Sequence, residues 1–477
     1  MNADHRTLLI AGGTLVLPDG AVRGDLLIAG ERIAALGQDL RHLDVEETIN
    51  ATGCYVLPGV IDPHTHIQLA TGIYQTADDW DVGTRTAACG GVTTVIDFAT
   101  QFPGQTVQEA FAARQDEIDK KAHVDYSLHM MLTNLPPEDA KVTTGAPSLA
   151  GWMADLVALG VPSVKLYTTY RPNYYQDDNA LLRVFRAAAA ANVVVMLHSE
   201  NDAMVTAATQ QLVQAGATGL ENHGAARPAL AEVEAVHRAI FLAANAGCTL
   251  YVVHCSVAQS VELIAAARSA GQSVIAETCP QYLLLDHTLY AGPHPEWVIL
   301  QPPLRAPAER ERLWHWLSQG AVSSIGTDHC EYTLAQKTAS PHFTETPGGI
   351  PGLETSLPLM VTYGVLDGRL SWEQLVQVMA ANPARIFGLY PRKGVLLPGS
   401  DADVVLYDPE GEDRITAARL HGVSGYTPYE GIPVRGRVKA TLVRGRLVYQ
   451  DGDFHPAPGW GRFVFAHASA NSGTKLN

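Results

Sequence analysis

The chain has 477 residues, too many for one ordinary core and enough for a large α/β barrel with a smaller accessory domain. Hydrophobic residues make up 47% and charged residues 17%, the balance of a globular enzyme. A formal net charge of -16 argues against nucleic acid or an anionic membrane surface as a partner, since both need a basic face.

The first stretch, MNADHRTLLIAGGTLVLPDG, lacks a basic region followed by a long apolar core. It reads as strand and turn, not as a signal peptide. GDLLIAGERIAALG and CYVLPG continue the pattern: short apolar runs punctuated by Gly, Pro and Asp. A similar texture returns in DADVVLYDP and KATLVRGRLVYQDGDF. Both ends are therefore expected to close one small β-sandwich domain, residues 1–58 forming its first part and 389–450 its second, with 451–477 as a C-terminal tail.

Between them, across residues 59–388, strand and helix alternate. The candidate strands are GVIDPHTHI (59–67), GVTTVIDFA (91–99), VDYSLHMML (124–132), SVKLYT (163–168), VVVMLHSE (193–200), TLYVVHCS (249–256), SVIAETCP (273–280) and SSIGTDHC (323–330). Helix-like segments such as LLRVFRAAAAANV and LAEVEAVHRAIFLAANAG separate them. Nearly continuous apolar strands in repeated β-then-α units imply a parallel sheet buried on both faces. Eight such units favour a closed (β/α)8 TIM barrel over an open sheet. No G-x-G-x-x-G or P-loop follows any of these strands, so nucleotide folds lose ground. Long inserts follow strands seven and eight, on the barrel face where active sites are built. Cys54, Cys89, Cys248, Cys255, Cys279 and Cys330 are scattered, with no C-x-x-C pair, which reads as reduced thiols in a cytoplasmic protein. No apolar run is long enough to span a bilayer.

Six polar residues stand at strand ends or inside strands. His64 and His66 share one side of the first strand, where two imidazoles can hold one divalent ion. Alone, H-x-H equally describes two polar residues at a strand end. His198 and His254 end strands five and six. One such histidine is more often a satisfied core residue. Two at equivalent positions, with H-x-H at a third, are hard to produce by chance. Asp328 ends strand eight, where it either caps the next helix or binds metal and shuttles a proton. Lys165 lies within strand four between apolar neighbours, where an unpaired cation is costly. It pairs with an acid, snorkels out, or has been carbamylated by CO2 to N6-carboxylysine, an anionic bridge between two metals. The six together would make a two-metal site with room for a shared hydroxide, the nucleophile and charge stabilisation an unactivated amide requires. Asp328 would take the water proton and hand it to the departing nitrogen.

The set GVIDPHTHI, KLYTTY, MLHSEND, YVVHCS and GTDHC resembles the cyclic amidohydrolases, most closely their dihydropyrimidinase/hydantoinase branch. The resemblance covers nearly the whole chain. It implies a carbamylated Lys165, two divalent ions, usually zinc, and a homo-oligomer, tetramer or dimer. His64, His66 and Asp328 would hold one metal and His198 and His254 the other, with Lys165 bridging. The family's substrate tyrosine, five residues after the lysine, corresponds to Tyr170, whose hydroxyl would stabilise the developing oxyanion. The implied reaction is hydrolytic opening of a dihydropyrimidine or 5-substituted hydantoin to an N-carbamoyl amino acid.

IDFA, ENHG (221–224), ARPALAE (226–232) and ETCPQYL (277–283) are similar to the dihydropyrimidinase branch. Gln68 stands where dihydroorotases carry a carboxylate-gripping arginine. The family's S-P-P-L-R appears as Gln301-Pro302-Pro303-Leu304-Arg305, and its P-N-G as Pro347-Gly348-Gly349. Those stretches bind the cyclic amide largely through backbone groups in the family, which makes Gln301 and Gly348 substrate-binding candidates. The loop at 68–80 is expected to shape the pocket for the ring substituent, with Tyr74 and Trp80 either lining it or serving as packing residues. GGIPGLE is allantoinase-like, so allantoinase is one alternative. A non-enzymatic assembly protein is another, as in relatives that have lost metal ligands; the retained ligands speak against it.

Overall fold

The computed structural model describes residues 6–70, 74–137 and 148–468. Parts of the expected pocket loop (71–73) and tail (469–477) lie outside the described residues. Strands β1 (Thr7–Leu17) and β2 (Gly20–Ala29) form an antiparallel hairpin whose register closes at Leu17 and Gly20. β3 (Arg32–Gly37) adds antiparallel to β2, β4 (Glu47–Asn50) pairs parallel with β1, and β5 (Tyr55–Pro58) lies beside β1.

The barrel follows, as β6 (Val60–Asp62), β7 (Val92–Gln101), β8 (Asp125–Leu132), β9 (Ser163–Tyr167), β10 (Val194–His198), β11 (Leu250–Val252), β12 (Val274–Thr278) and β13 (Ser324–Ile325). All eight are parallel neighbours in chain order. Closure comes beyond the ends of β6 and β13, where Thr65 bridges His329 and the His66 amide donates to the His329 carbonyl at 2.7 Å. The Asp62 carboxylate adds to the seam by accepting from the Thr327 amide and hydroxyl.

Several strands are shorter than their apolar runs suggest. In β6, β11 and β13 the chain leaves the ladder before the site residues are reached. His254 (φ 40°) and Asp328 (φ 52°) adopt left-handed backbone, which a regular strand cannot contain. Of the candidate ligands, His64, His66, His254 and Asp328 therefore stand on the rim beyond the strand ends, while Lys165 lies within β9 and His198 ends β10.

Alternation along the strands sorts side chains into two cores. Leu128, Val164, Val195, Leu197 and Val252 face the surrounding helices. Met131, Met196, Tyr251 and Phe387 fill the inside of the barrel. Lys165 is in register with both Met131 and Met196, so it shares their interior face. The helices are bounded by local chemistry: Asp177 caps Asp178–Ala191, which ends on left-handed Asn192, and Gly247 (φ 70°) terminates Ala229–Ala246.

The chain then returns to the first sheet. β14 (Val404–Arg414) pairs antiparallel with β5, Val404 opposite Pro58, and β15 (Pro433–Val443), β16 (Arg446–Gln450) and β17 (Asp453–Phe454) complete nine strands in one continuous mixed sheet. The expected β domain built from both chain ends is present, with its own core of Leu8, Ile10, Leu26, Ile28, Val56, Val404 and Leu442. Buried Lys393 joins sheet to barrel, its ammonium reaching Asp125 at 2.5 Å, Asp403 at 2.6 Å and Asp401 at 2.9 Å. Beyond β17 the chain packs on its own barrel: the Val464 amide donates to the Tyr126 carbonyl and His467 to Gly388.

Candidate metal centre and substrate cavity

The six sequence-derived ligands converge on the rim formed by β6, β9, β10, β11 and β13. His64 and His66 Nε2 lie 3.3 and 3.2 Å from one Asp328 carboxylate oxygen. Lys165 Nζ lies 3.4 Å from His64 Nε2. The His198 and His254 rings are 4.6 Å apart, and His254 is 5.5 Å from His64. Three of the residues here, Tyr170 (φ 74°), His254 and Asp328, have left-handed backbone, a concentration of strain of the kind held at functional sites.

Two of the four imidazoles, His64 and His198, are aimed by a carboxylate on the far side of the ring. Glu277, on β12, lies 2.8 Å from His64 Nδ1 and also accepts the His254 amide at 2.8 Å. With Nδ1–H donated to Glu277, His64 Nε2 is the nitrogen turned to the centre. Glu200 lies 2.7 Å from His198 Nε2, which leaves that ring's Nδ1, and Arg227 neutralises Glu200. Such carboxylate–histidine pairs fix tautomer and orientation in metal sites. Glu200 and Glu277 were not singled out by sequence reasoning. Their signal was present: each is an acid beside an apolar strand run, in MLHSEND and AETCP.

Burial sets the charge states. It pushes His64 and His254 well below the ordinary imidazole range and lowers His198, so these rings stay neutral and present lone pairs. Burial also brings the Lys165 amine down to about 8, and Glu277 up to about 7. Burial alone would raise Asp328, but His64 and His66 beside it hold it below the usual carboxylate value. The result is a cluster of neutral nitrogens and one anion around a lysine that carries no ion pair among the described residues. Among the described residues, the buried Nδ1 atoms of His66 and His254 have no internal partner. This donor set fits divalent metal ions, which prefer imidazole and carboxylate ligands.

A cavity of ≈ 400 Å³ opens over the cluster, lined by all six residues and by Tyr170, Gln301 and Gly348. That is the size range of small-molecule sites. Tyr170 has its ring 5.0 Å from His198 and 5.1 Å from the Arg227 guanidinium carbon. Burial raises its hydroxyl, which keeps it a proton donor. Gln301 and Gly348 touch: a Cβ at Gly348 would overlap the Gln301 side-chain amide. The two departures from the family pattern are thus one coupled change, a longer side chain at 301 occupying the space a side chain at 348 would need.

Leu69, Met131, Tyr74, Tyr174 and Tyr332 supply the apolar and aromatic part of the wall. Tyr74 is where the loop reading places it. Trp80 takes the packing alternative: it is fully buried in the outer core, opens the helix Trp80–Cys89, and lies under the Arg114 guanidinium at 5.0 Å. Position in a loop sequence does not reveal that the helix begins at this residue.

Residues 55–448 match the model of the amidohydrolase family. The D-phenylhydantoinase of Escherichia coli O7:K1 is 38% identical over 461 residues, covering 96% of this chain and 97% of the relative. Among solved structures, dihydropyrimidinase from Brevibacillus agri NCHU1002 superposes with TM-score 0.93 at 35% identity, over 97% of this chain and 99% of that one. L-hydantoinase from Arthrobacter aurescens superposes with TM-score 0.86 at 32% identity, over 96% and 99%.

Proposed function

The chain belongs to the amidohydrolase family and is a cyclic-amide hydrolase; from that premise we propose that it opens a dihydropyrimidine or 5-substituted hydantoin ring to an N-carbamoyl amino acid. The observation that carries this reading is the single cavity holding His64, His66, Lys165, His198, His254 and Asp328 together with Tyr170, Gln301 and Gly348.

His64, His66 and Asp328 would hold one divalent ion, His198 and His254 a second, and Lys165 as N6-carboxylysine would bridge them. Zinc fits these neutral imidazoles and carboxylates. When bound, the two ions supply a water-derived nucleophile at neutral pH and polarise the amide carbonyl. Carbamylation needs a neutral amine, and burial that brings Lys165 to about 8 makes one accessible. As a carbamate the residue also exchanges an uncompensated buried cation for an anion among metal ligands.

Asp328, held ionised, accepts the proton of the attacking water and passes it to the ring nitrogen as the C–N bond breaks. The water oxygen ends in the new carboxylate and the proton on the departing nitrogen. The Tyr170 hydroxyl donates to the carbonyl oxygen as negative charge develops there. Gln301 and Gly348 present peptide groups to the amide edge of the ring, while Tyr74, Tyr174 and Tyr332 face its substituent. A cytoplasmic homo-oligomer, tetramer or dimer, belongs to the same reading. Among the described residues no helix is long and apolar enough to cross a membrane.

The test is turnover of hydantoin and dihydrouracil by purified, zinc-loaded protein, beside allantoin and dihydroorotate. Opening of either of the first two supports the reading. Activity confined to allantoin or dihydroorotate overturns the substrate class and keeps the hydrolase.

A further inference from the structure

Lys337 closes the short helix Leu334–Lys337 in the insert after β13 and is fully buried. No carboxylate pairs with it among the described residues. Its ammonium instead donates to three carbonyls, Ile299 at 2.8 Å, Pro347 at 2.9 Å and Gly349 at 3.0 Å. An ammonium has three N–H donors, so this set saturates it.

The three acceptors belong to two segments, distant in sequence, that meet at Gln301 and Gly348. The Gly349 amide also donates to the Ile299 carbonyl at 3.0 Å, stitching the segments directly. Outside the reach of Lys337, His223 Nε2 takes the Leu300 carbonyl at 2.8 Å and the Tyr282 hydroxyl takes that of Pro302 at 2.7 Å. Every carbonyl flanking Gln301 and Gly348 is thereby bound. The peptide groups of Gln301 and Gly348 themselves have no internal partner among the described residues, and both residues line the cavity.

Removing the cation would leave buried carbonyls unpaired and close together, which favours separation of the two segments. We propose that Lys337 is a positioning residue that locks the 299–302 and 347–349 segments into one rigid wall, so that the free peptide groups of Gln301 and Gly348 meet the amide edge of the substrate. This rests on the cyclic-amide reading of the cavity. Lys337 touches no reacting atom in this assignment; it acts through the backbone it holds.

The experiment compares zinc-loaded wild type, Lys337→Met and Lys337→Arg by steady-state kinetics on hydantoin, zinc content, and backbone amide exchange. Lys337→Met is expected to raise KM about tenfold or more, to lower kcat less than it raises KM, and to leave zinc content unchanged. Amide exchange at Gly349, whose N–H bonds the Ile299 carbonyl, should quicken while the barrel strands keep their protection. Lys337→Arg keeps the charge but cannot offer three donors from one nitrogen, so an intermediate KM is expected. A lowered melting temperature with wild-type KM and wild-type exchange at the wall would overturn the assignment. If the wild type opens no cyclic amide yet exchange quickens at the wall in Lys337→Met, the substrate reading falls and the wall assignment stands. If Lys337→Met is insoluble, the same two readouts on Lys337→Arg decide.

Discussion

Lys393 and Lys165 are both buried, and they are held in opposite ways. Lys393, between barrel and sheet, is surrounded by Asp125, Asp401 and Asp403, all within 2.9 Å of its ammonium. Lys165, at the barrel mouth, has His64 Nε2 at 3.4 Å, no ion pair among the described residues, and an amine brought down to about 8 by burial. One site spends three carboxylates to keep a cation. The other offers imidazoles with free lone pairs, which a cation does not need and a metal does. The difference separates a lysine held as a cation by carboxylates from one whose surroundings suit the proposed carbamate.

The largest effect that could break this contrast is at Lys165. Lys165→Ala should lose bound metal and turnover together, read by metal analysis and hydantoin hydrolysis, because no other side chain replaces the bridge. Retention of two metals with full turnover would reduce Lys165 to a packing residue. Asp328→Ala comes next: some metal should remain, with activity falling close to background, since both its ligand and proton-transfer roles are lost. Tyr170→Phe should keep metal and lower kcat by about 10²- to 10³-fold, the effect of deleting one oxyanion donor.

Lys393→Met is the converse experiment. It should leave kcat/KM and metal content intact and destabilise the fold by about 3–5 kcal/mol, the cost of orphaning buried charge, measured by denaturant unfolding. A loss of metal in this variant would erase the distinction between the two lysines. The smallest effect serves as a control outside both clusters. His421 Nδ1 lies 2.7 Å from Glu354, and that hydrogen bond raises its imidazole. A raised folded value means the contribution to stability is fully present below the ordinary imidazole pKa of about 6.5 and fades as pH rises through the higher folded value. Subtracting the stability of His421→Ala from wild type across this window should leave a small difference that shrinks with rising pH. A difference that grows would contradict the pairing.

The candidate ligand set was legible because His64, His66, His198, His254 and Asp328 follow apolar strand runs whose ends strand order places on one rim, and because Lys165 is a charge inside such a run. The eight strands were legible for the same reason, although their ends were not. His254 and Asp328 leave the ladder through left-handed backbone, which no hydrophobic pattern records. The supports of the site come from residues distant in sequence. Glu277 on β12 holds His64 beyond β6, and Lys337 reaches Ile299 and Pro347 across two inserts. Their motifs carry the residue types but not the contacts. The contact between Gln301 and Gly348 was equally hidden: two separate departures in sequence are one packing change in space.

Anomalous diffraction at the zinc edge from crystals of the zinc-loaded protein bears most directly on Lys165. Two anomalous peaks are expected, one among His64, His66 and Asp328 and one between His198 and His254, with density for a carboxylate on Lys165 Nζ between them. A bare Lys165 amine with a single peak, or none, would contradict the carbamylated bridge and the two-metal centre built on it.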